Sequence, residues 1–108
     1  MRKLRSGDEV VVISGRNKGQ RGRVRTVIPE TNRVVVEGVN IVIKHMRRGR
    51  ARQAGRVEVE AALHMSNVML LDPTTKQPTR VGIRRNEDGK NERFSKKTGN
   101  MIPRPVVD

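Results

Sequence analysis

The run Asp8-Glu9-Val10-Val11-Val12-Ile13, the turn Ser14-Gly15-Arg16-Asn17-Lys18-Gly19-Gln20-Arg21 and the returning run Gly22-Arg23-Val24-Arg25-Thr26-Val27-Ile28 decide how this chain is read. Two β-branched stretches flank a segment in which glycine recurs among polar residues, the composition of a tight connection between antiparallel strands. The pattern continues outward, with β-branched runs at Arg33 to Glu37, Asn40 to Ile43, Arg56 to Ala61 and Asn67 to Asp72. Pro29-Glu30-Thr31-Asn32 and Gly38 punctuate them. Five or six short strands joined by short turns predict an all-β fold, a small antiparallel barrel. Its candidate core is apolar positions 10 to 13, then 24, 27 and 28, then 34, 35, 36 and 39. Such near-continuous runs imply central strands with both faces partly covered.

A weaker hairpin is expected beyond the barrel, with Arg80 to Arg85 running out, Asn86-Glu87-Asp88-Gly89 turning and Lys90 to Lys96 returning. Val81, Ile83 and Phe94 are its apolar content, too little for an isolated two-stranded unit to be stable in water. Residues 97–108 offer Pro and Gly but no periodicity, and are expected to trail. The predicted organisation is a barrel over residues 1–72 that includes a basic excursion at 44–56, then a basic C-terminal extension over 73–108 with a hairpin at 80–96.

Composition narrows the function. A chain of 108 residues is one small domain that buries about 60 to 65% of its unfolded surface, which leaves little room for an enclosed catalytic pocket. Having no Cys, it has no disulfide framework, thiolate zinc site or cysteine nucleophile. The longest apolar runs, Val10 to Ile13 and Val68 to Leu71, fall far short of the ~20 residues that span a bilayer. The start, Met1-Arg2-Lys3-Leu4-Arg5-Ser6-Gly7, does not lead into a secretory signal. A cytoplasmic protein without membrane partners is expected.

Lys and Arg number 24 against 11 Asp and Glu, a formal net charge of +13. The excess is clustered: +5 over residues 1–43, +6 over 44–56, −3 over 57–72, +4 over 73–85 and +1 over 86–108. Clustered like charge repels itself unless a polyanion neutralises it. The basic run from Lys44 to Arg56 has no wide apolar face, so nucleic acid fits better than an anionic membrane. Arginine outnumbers lysine by 17 to 7, which suits fixed, partly desolvated phosphate contacts through planar forks. With one Phe and no Trp or Tyr, the chain cannot build the aromatic platform on which single-strand readers stack several bases. Recognition of a folded, duplex-rich nucleic acid through backbone and shape remains.

No catalytic constellation is visible. The Gly15, Gly19, Gly22 spacing matches neither a Walker loop nor a dinucleotide fingerprint, although glycines among bases suit close backbone approach to phosphate. His45 and His64, without cysteines, make a poor metal site. Glu58 and Glu60, two apart in a strand, read as a solvated face or as partners for arginines. Ser66 and His64 lack a third, orienting group. Neither cofactor nor metal is expected.

The segment from Ser6 to Val24 closely resembles a KOW motif. Val35-Val36-Glu37-Gly38-Val39-Asn40, Lys44-His45, Met65-Ser66-Asn67-Val68, Asp72-Pro73 and Pro78-Thr79-Arg80-Val81-Gly82 resemble, in order, the bacterial large-subunit ribosomal protein twenty-four family. The resemblance implies an SH3-like β-barrel with an extended hairpin or loop. It further implies binding to large-subunit ribosomal RNA near its 5′ end, a part in initiating assembly, a location beside the peptide tunnel exit and neighbouring ribosomal proteins as partners. No homo-oligomer is expected. Carried onto this chain, it implies RNA contacts by Arg16, Asn17, Lys18, Arg21 and Arg23, and by Lys44, His45, Ser66 and Asn67. Arg47 and Arg48 of the basic run and Arg80 complete the expected set. Where family members often carry a Pro- and Gln-rich segment after Lys-His, this chain has the arginine-rich run Met46 to Arg56. The rival readings are a KOW factor associated with transcription, an SH3-type adaptor, which would need aromatic groove walls, and a nuclease using Glu58 and Glu60.

Overall fold

The computed structural model describes residues 3–46 and 55–105. The protein is all-β: β1 Glu9–Val12, β2 Arg21–Ile28, β3 Arg33–Val36, β4 Ile41–Met46, β5 Gly55–Glu60, β6 Leu63–His64, β7 Val68–Leu71, β8 Pro78–Thr79, β9 Val81–Arg85, β10 Asn91–Ser95 and β11 Met101–Ile102. Short 3-10 turns occupy Pro29–Thr31 and Met65–Asn67.

The main sheet has the order β6-β3-β2-β1-β7-β8. Strands β6 and β7 are four places apart in that order, about 19 Å in a flat sheet at ~4.8 Å per strand. They are joined only by Met65–Asn67, which as a 3-10 turn advances about 6 Å. The sheet is therefore curled so that β6 comes round toward β7, an open barrel-like sheet in which the turn, not a β6–β7 ladder, bridges the two edges. Leu4, Val10, Val12, Val24, Val34, Val36, Val39, Val68 and Leu70 fill the interior, with Val27, Leu63 and Met65 packed against them. Strand β1 sits between β2 and β7, and all three of its valines are buried, as its unbroken apolar run predicts.

Two of the six runs read as barrel strands are not barrel strands. Residues Ile41–Met46 and Gly55–Glu60 pair with each other, from Ile41 opposite Glu60 to Met46 opposite Gly55, as a separate two-stranded ribbon. Ile41 and Ile43 consequently stay half exposed. Both flanks of the expected excursion are thus strand, and residues 47–54 lie outside the described residues. The barrel takes the short β6 instead, paired to β3 through Arg33 with His64 and Val34 with Leu63.

The C-terminal hairpin gains a third strand. Met101 and Ile102 pair with Phe94 and Arg93, and Ile102 is buried. This corrects, as far as residue 105, the expectation that residues 97–108 trail: one buried apolar side chain and a tight turn suffice to return the chain, and residues 106–108 lie outside the described residues. Ser95 N donates to Asn100 O at 2.9 Å, and Gly99, in the left-handed region, donates its N–H to Ser95 O at 2.7 Å. The sheet is fixed to the barrel by Arg93, which is 1% exposed. Its Nη1 donates to Asp8 Oδ2 at 2.6 Å and to Lys3 O at 3.0 Å, and its Nη2 to Asp8 Oδ1 and Pro103 O, both at 3.2 Å. Asp8 also accepts from Arg5 N at 2.7 Å, so every part of this buried pair is satisfied.

Candidate nucleic-acid interface

The glycine-rich connection between β1 and β2 is held at its base by Gly19 N to Val12 O at 2.8 Å and Val12 N to Gln20 O at 2.9 Å. Lys18 N to Gly15 O and Gln20 N to Asn17 O shape the tip. Gly15 and Gly19 adopt φ near +90°, where a side chain is strained although space is open around them. Gly22 answers a different need. A Cβ there would lie 2.7 Å from Glu37 O and 2.8 Å from Val36 Cγ1, so β2 can pass this close to β3 only without a side chain.

Arg16, Lys18, Arg21 and Arg23 are exposed along this loop and the start of β2. Among the described residues, the four ion pairs join Arg25 to Glu60, Lys76 to Glu9, Arg84 to Glu92 and Arg93 to Asp8, so the loop cations are in none of them. Arg21 Nη1 reaches Lys76 O at 3.4 Å, which adds Lys76 to the basic edge beside Arg23 and Gly22. Asn17 behaves differently from the cations. It is partly buried and donates through Nδ2 to Asn40 Oδ1 at 3.1 Å, while Asn40 donates to Ala61 O at 3.2 Å. Asn17 therefore ties the loop to the root of the β4–β5 ribbon.

The turn Met65–Asn67 flanks the other side. Ile13 N donates to Asn67 O at 2.8 Å and Ser14 Oγ to Asn67 Oδ1 at 2.8 Å. Asn67 is spent on positioning, whereas Ser66 is exposed, its Oγ 2.8 Å from His64 Nδ1. The structure thus brings Arg16, Asn17, Lys18, Ser66 and Asn67 to one end of the barrel, beside the ribbon that carries Lys44 and His45 opposite Val57 and Arg56. Arg47 and Arg48 lie outside the described residues. Arg80 stands apart, on the rim of a groove of about 560 Å³ whose other cations are Lys3 and Lys96 and whose floor includes Leu4, Val68 and Leu70.

The competing chemistries find no footing here. Glu60 is engaged by Arg25 at 3.0 Å and by the Gly38 amide, so it is not half of a free carboxylate pair. The His64 to Ser66 contact caps a turn, since His64 Nδ1 also accepts Ser66 N. Lys76, Lys3 and Lys96 were not singled out by sequence reading, because nothing local to them distinguishes an edge cation from any other surface lysine.

Comparison with known proteins gives two family matches: residues 6–37 match the KOW motif, and residues 39–102 match the C-terminal domain of large ribosomal subunit protein uL24. The chain is 51% identical over 100 residues to the large ribosomal subunit protein uL24 of Rhodospirillum centenum, covering 93% of this chain and 95% of that protein. It is 50% identical over 106 residues to that of Thermomicrobium roseum, covering 97% and 93% respectively. With the protein of the same name from Macrococcus caseolyticus it shares 52% identity over 100 residues, covering 92% and 97%.

Proposed function

The chain belongs to the large ribosomal subunit protein uL24 family, and on that footing we propose that its barrel end binds large-subunit ribosomal RNA near the 5′ end of that RNA. As a family member it is a structural constituent of the large ribosomal subunit, not an enzyme, and works in the cytoplasm with the ribosome. In the proposed mode Arg16, Lys18, Arg21 and Arg23 take phosphates and Ser66 adds a hydroxyl contact. Asn17 and Asn67 hold the loop in shape for that contact. Lys44 and His45 extend the contact along the ribbon, Arg47 and Arg48 add further phosphate contacts, and Arg80 makes a separate one. Binding at this position serves early assembly, and the ribbon lies toward the tunnel exit among neighbouring ribosomal proteins.

The carrying observation is the row of exposed loop cations, in none of the four ion pairs, on a backbone fixed at both flanks by Asn40 and Asn67. Neutralising ~6 to 10 phosphates lowers affinity by roughly 10³ to 10⁵ between 50 and 200 mM salt. We expect that fall in a filter-binding titration with a transcript of the 5′ region of large-subunit RNA. Arg16→Ala with Lys18→Ala should weaken binding and flatten the salt slope while the circular dichroism of the barrel is unchanged. A flat salt dependence in the parent protein sinks the reading. A KOW factor acting in transcription is the second reading, and co-sedimentation with large subunits in high salt separates the two.

A further inference from the structure

Phe94 is the chain's one aromatic residue, yet the core does without it. It lies half buried on β10, on the opposite face from Arg93 and Ser95, which are buried. Gly82 is its partner across the ladder, and a Cβ on Gly82 would collide with the ring's Cε1 and Cζ, so the ring rests on bare backbone. The guanidinium of Arg84 covers the ring with Cζ 4.7 Å from its centroid. Glu92, directly opposite Arg84, takes the Arg84 Nε at 3.0 Å. Neither Nη has a partner among the described residues, and the side chain keeps 43% of its exposure. Lys96 stands on the same face, its Cε within 3.2 Å of where the Gly82 Cβ would be.

The bare Gly82 backbone, the ring and the half-exposed guanidinium are therefore gathered on one face of the sheet, with a planar cation 4.7 Å from the ring centroid. An ion pair this exposed adds little stability by itself. A guanidinium, however, is weakly hydrated and stacks on π-faces, and fixing it beforehand reduces the entropy lost when a ligand binds. A seat for one base is also compatible with a chain that lacks the aromatics to read several. We propose that the outer face of Arg84 stacks one unpaired nucleobase of RNA, with a flanking phosphate taken by Lys96. The inference rests on the reading that this protein binds ribosomal RNA.

The single Phe supplies its own reporter. In the full chain made with 4-fluorophenylalanine there is one ¹⁹F resonance to follow. We expect a tetra-adenylate RNA to shift it saturably, and an abasic ribose-phosphate tetramer at equal phosphate concentration to bind at least about 5-fold more weakly, the lower end of base stacking. Arg84→Lys, which keeps the charge and loses the plane, should weaken the tetra-adenylate by a similar factor. Glu92→Gln, which only frees the guanidinium, should weaken it less. Equal response to both tetramers would mean a simple anion site and overturn the proposal, as would an unchanged affinity in Arg84→Lys. No ¹⁹F response in a protein that still binds the 5′ transcript would overturn it while leaving the RNA-binding reading intact; failure to bind the transcript as well would remove both.

Discussion

Asp72 is fully buried at the end of β7, and its partners explain why a charge is tolerated there. The Ser95 hydroxyl is the strongest influence; burial, which opposes it, comes next, and Thr98 Oγ1 at 2.8 Å and the Thr74 and Thr75 amides at 2.7 and 3.3 Å add to the lowering. Together they outweigh burial and lower its pKa from 3.8 to about 2. A depressed carboxylate contributes stability above its unfolded pKa and loses it as pH falls through the folded value. Urea unfolding should therefore show the parent protein's advantage over Asp72→Asn intact at pH 7 and shrinking from pH 4 toward pH 2; a difference independent of pH would contradict this. Sequence reading placed Asp8 and Asp72 only as ends of strand runs, and Asp72 in a family-like pair, and gave neither them nor Arg93 a buried role, because a charged residue reads as solvent-facing until a partner far along the chain is known. The glycine-rich loop, by contrast, was legible from Gly15 and Gly19, since their need for positive φ is local. That Asn17 serves the fold through Asn40 was not, because the bond joins residues 23 apart.

At the scale of elements, β-branched alternation placed β1, β2, β3 and β7 to within about two residues, because those strands bury one or both faces in the core. The same alternation assigned Asn40 to Ile43 and Arg56 to Ala61 to the barrel, whereas they belong to the longer ribbon strands Ile41–Met46 and Gly55–Glu60, since a ribbon and a barrel strand share the period and differ only in what covers them. The turn at Asn86 to Gly89 carried more than was drawn from it. A hairpin centred on Asp88 sets Arg84 opposite Glu92 and Gly82 opposite Phe94 by counting alone. Strand β11 could not be read, because two residues are too short for any period. Ile102 is its anchor, and Ile102→Ala should cost about 2 to 5 kcal/mol in urea denaturation, with faster hydrogen exchange in β10 than in β2. Equal change in both strands would mean that β11 has no local part in holding this sheet.

For the whole molecule, a radius of gyration of 16.3 Å exceeds the ~13 Å of a compact chain of about 100 residues, and the extents of 57 × 27 × 24 Å show an elongated body. Barrel, ribbon and three-stranded sheet spread a strongly positive charge over a long surface, which suits contact with an extended polyanion. The barrel and the C-terminal sheet are joined through Arg93. Removing one partner of a buried pair leaves the other charge stranded, so Arg93→Met should destabilise the protein by about 3 to 5 kcal/mol. Arg93→Met combined with Asp8→Asn should recover part of that loss, measured by urea denaturation. A double variant no better than the single one would assign the cost to lost packing instead.

The same guanidinium holds carbonyls of Lys3 and Pro103 as well as the Asp8 carboxylate, 85 positions upstream. Asp8 consequently leaves the ribosome well before its mate, and the ion pair that fastens the two sheets closes a loop of 85 residues, a long-range contact whose closure costs chain entropy.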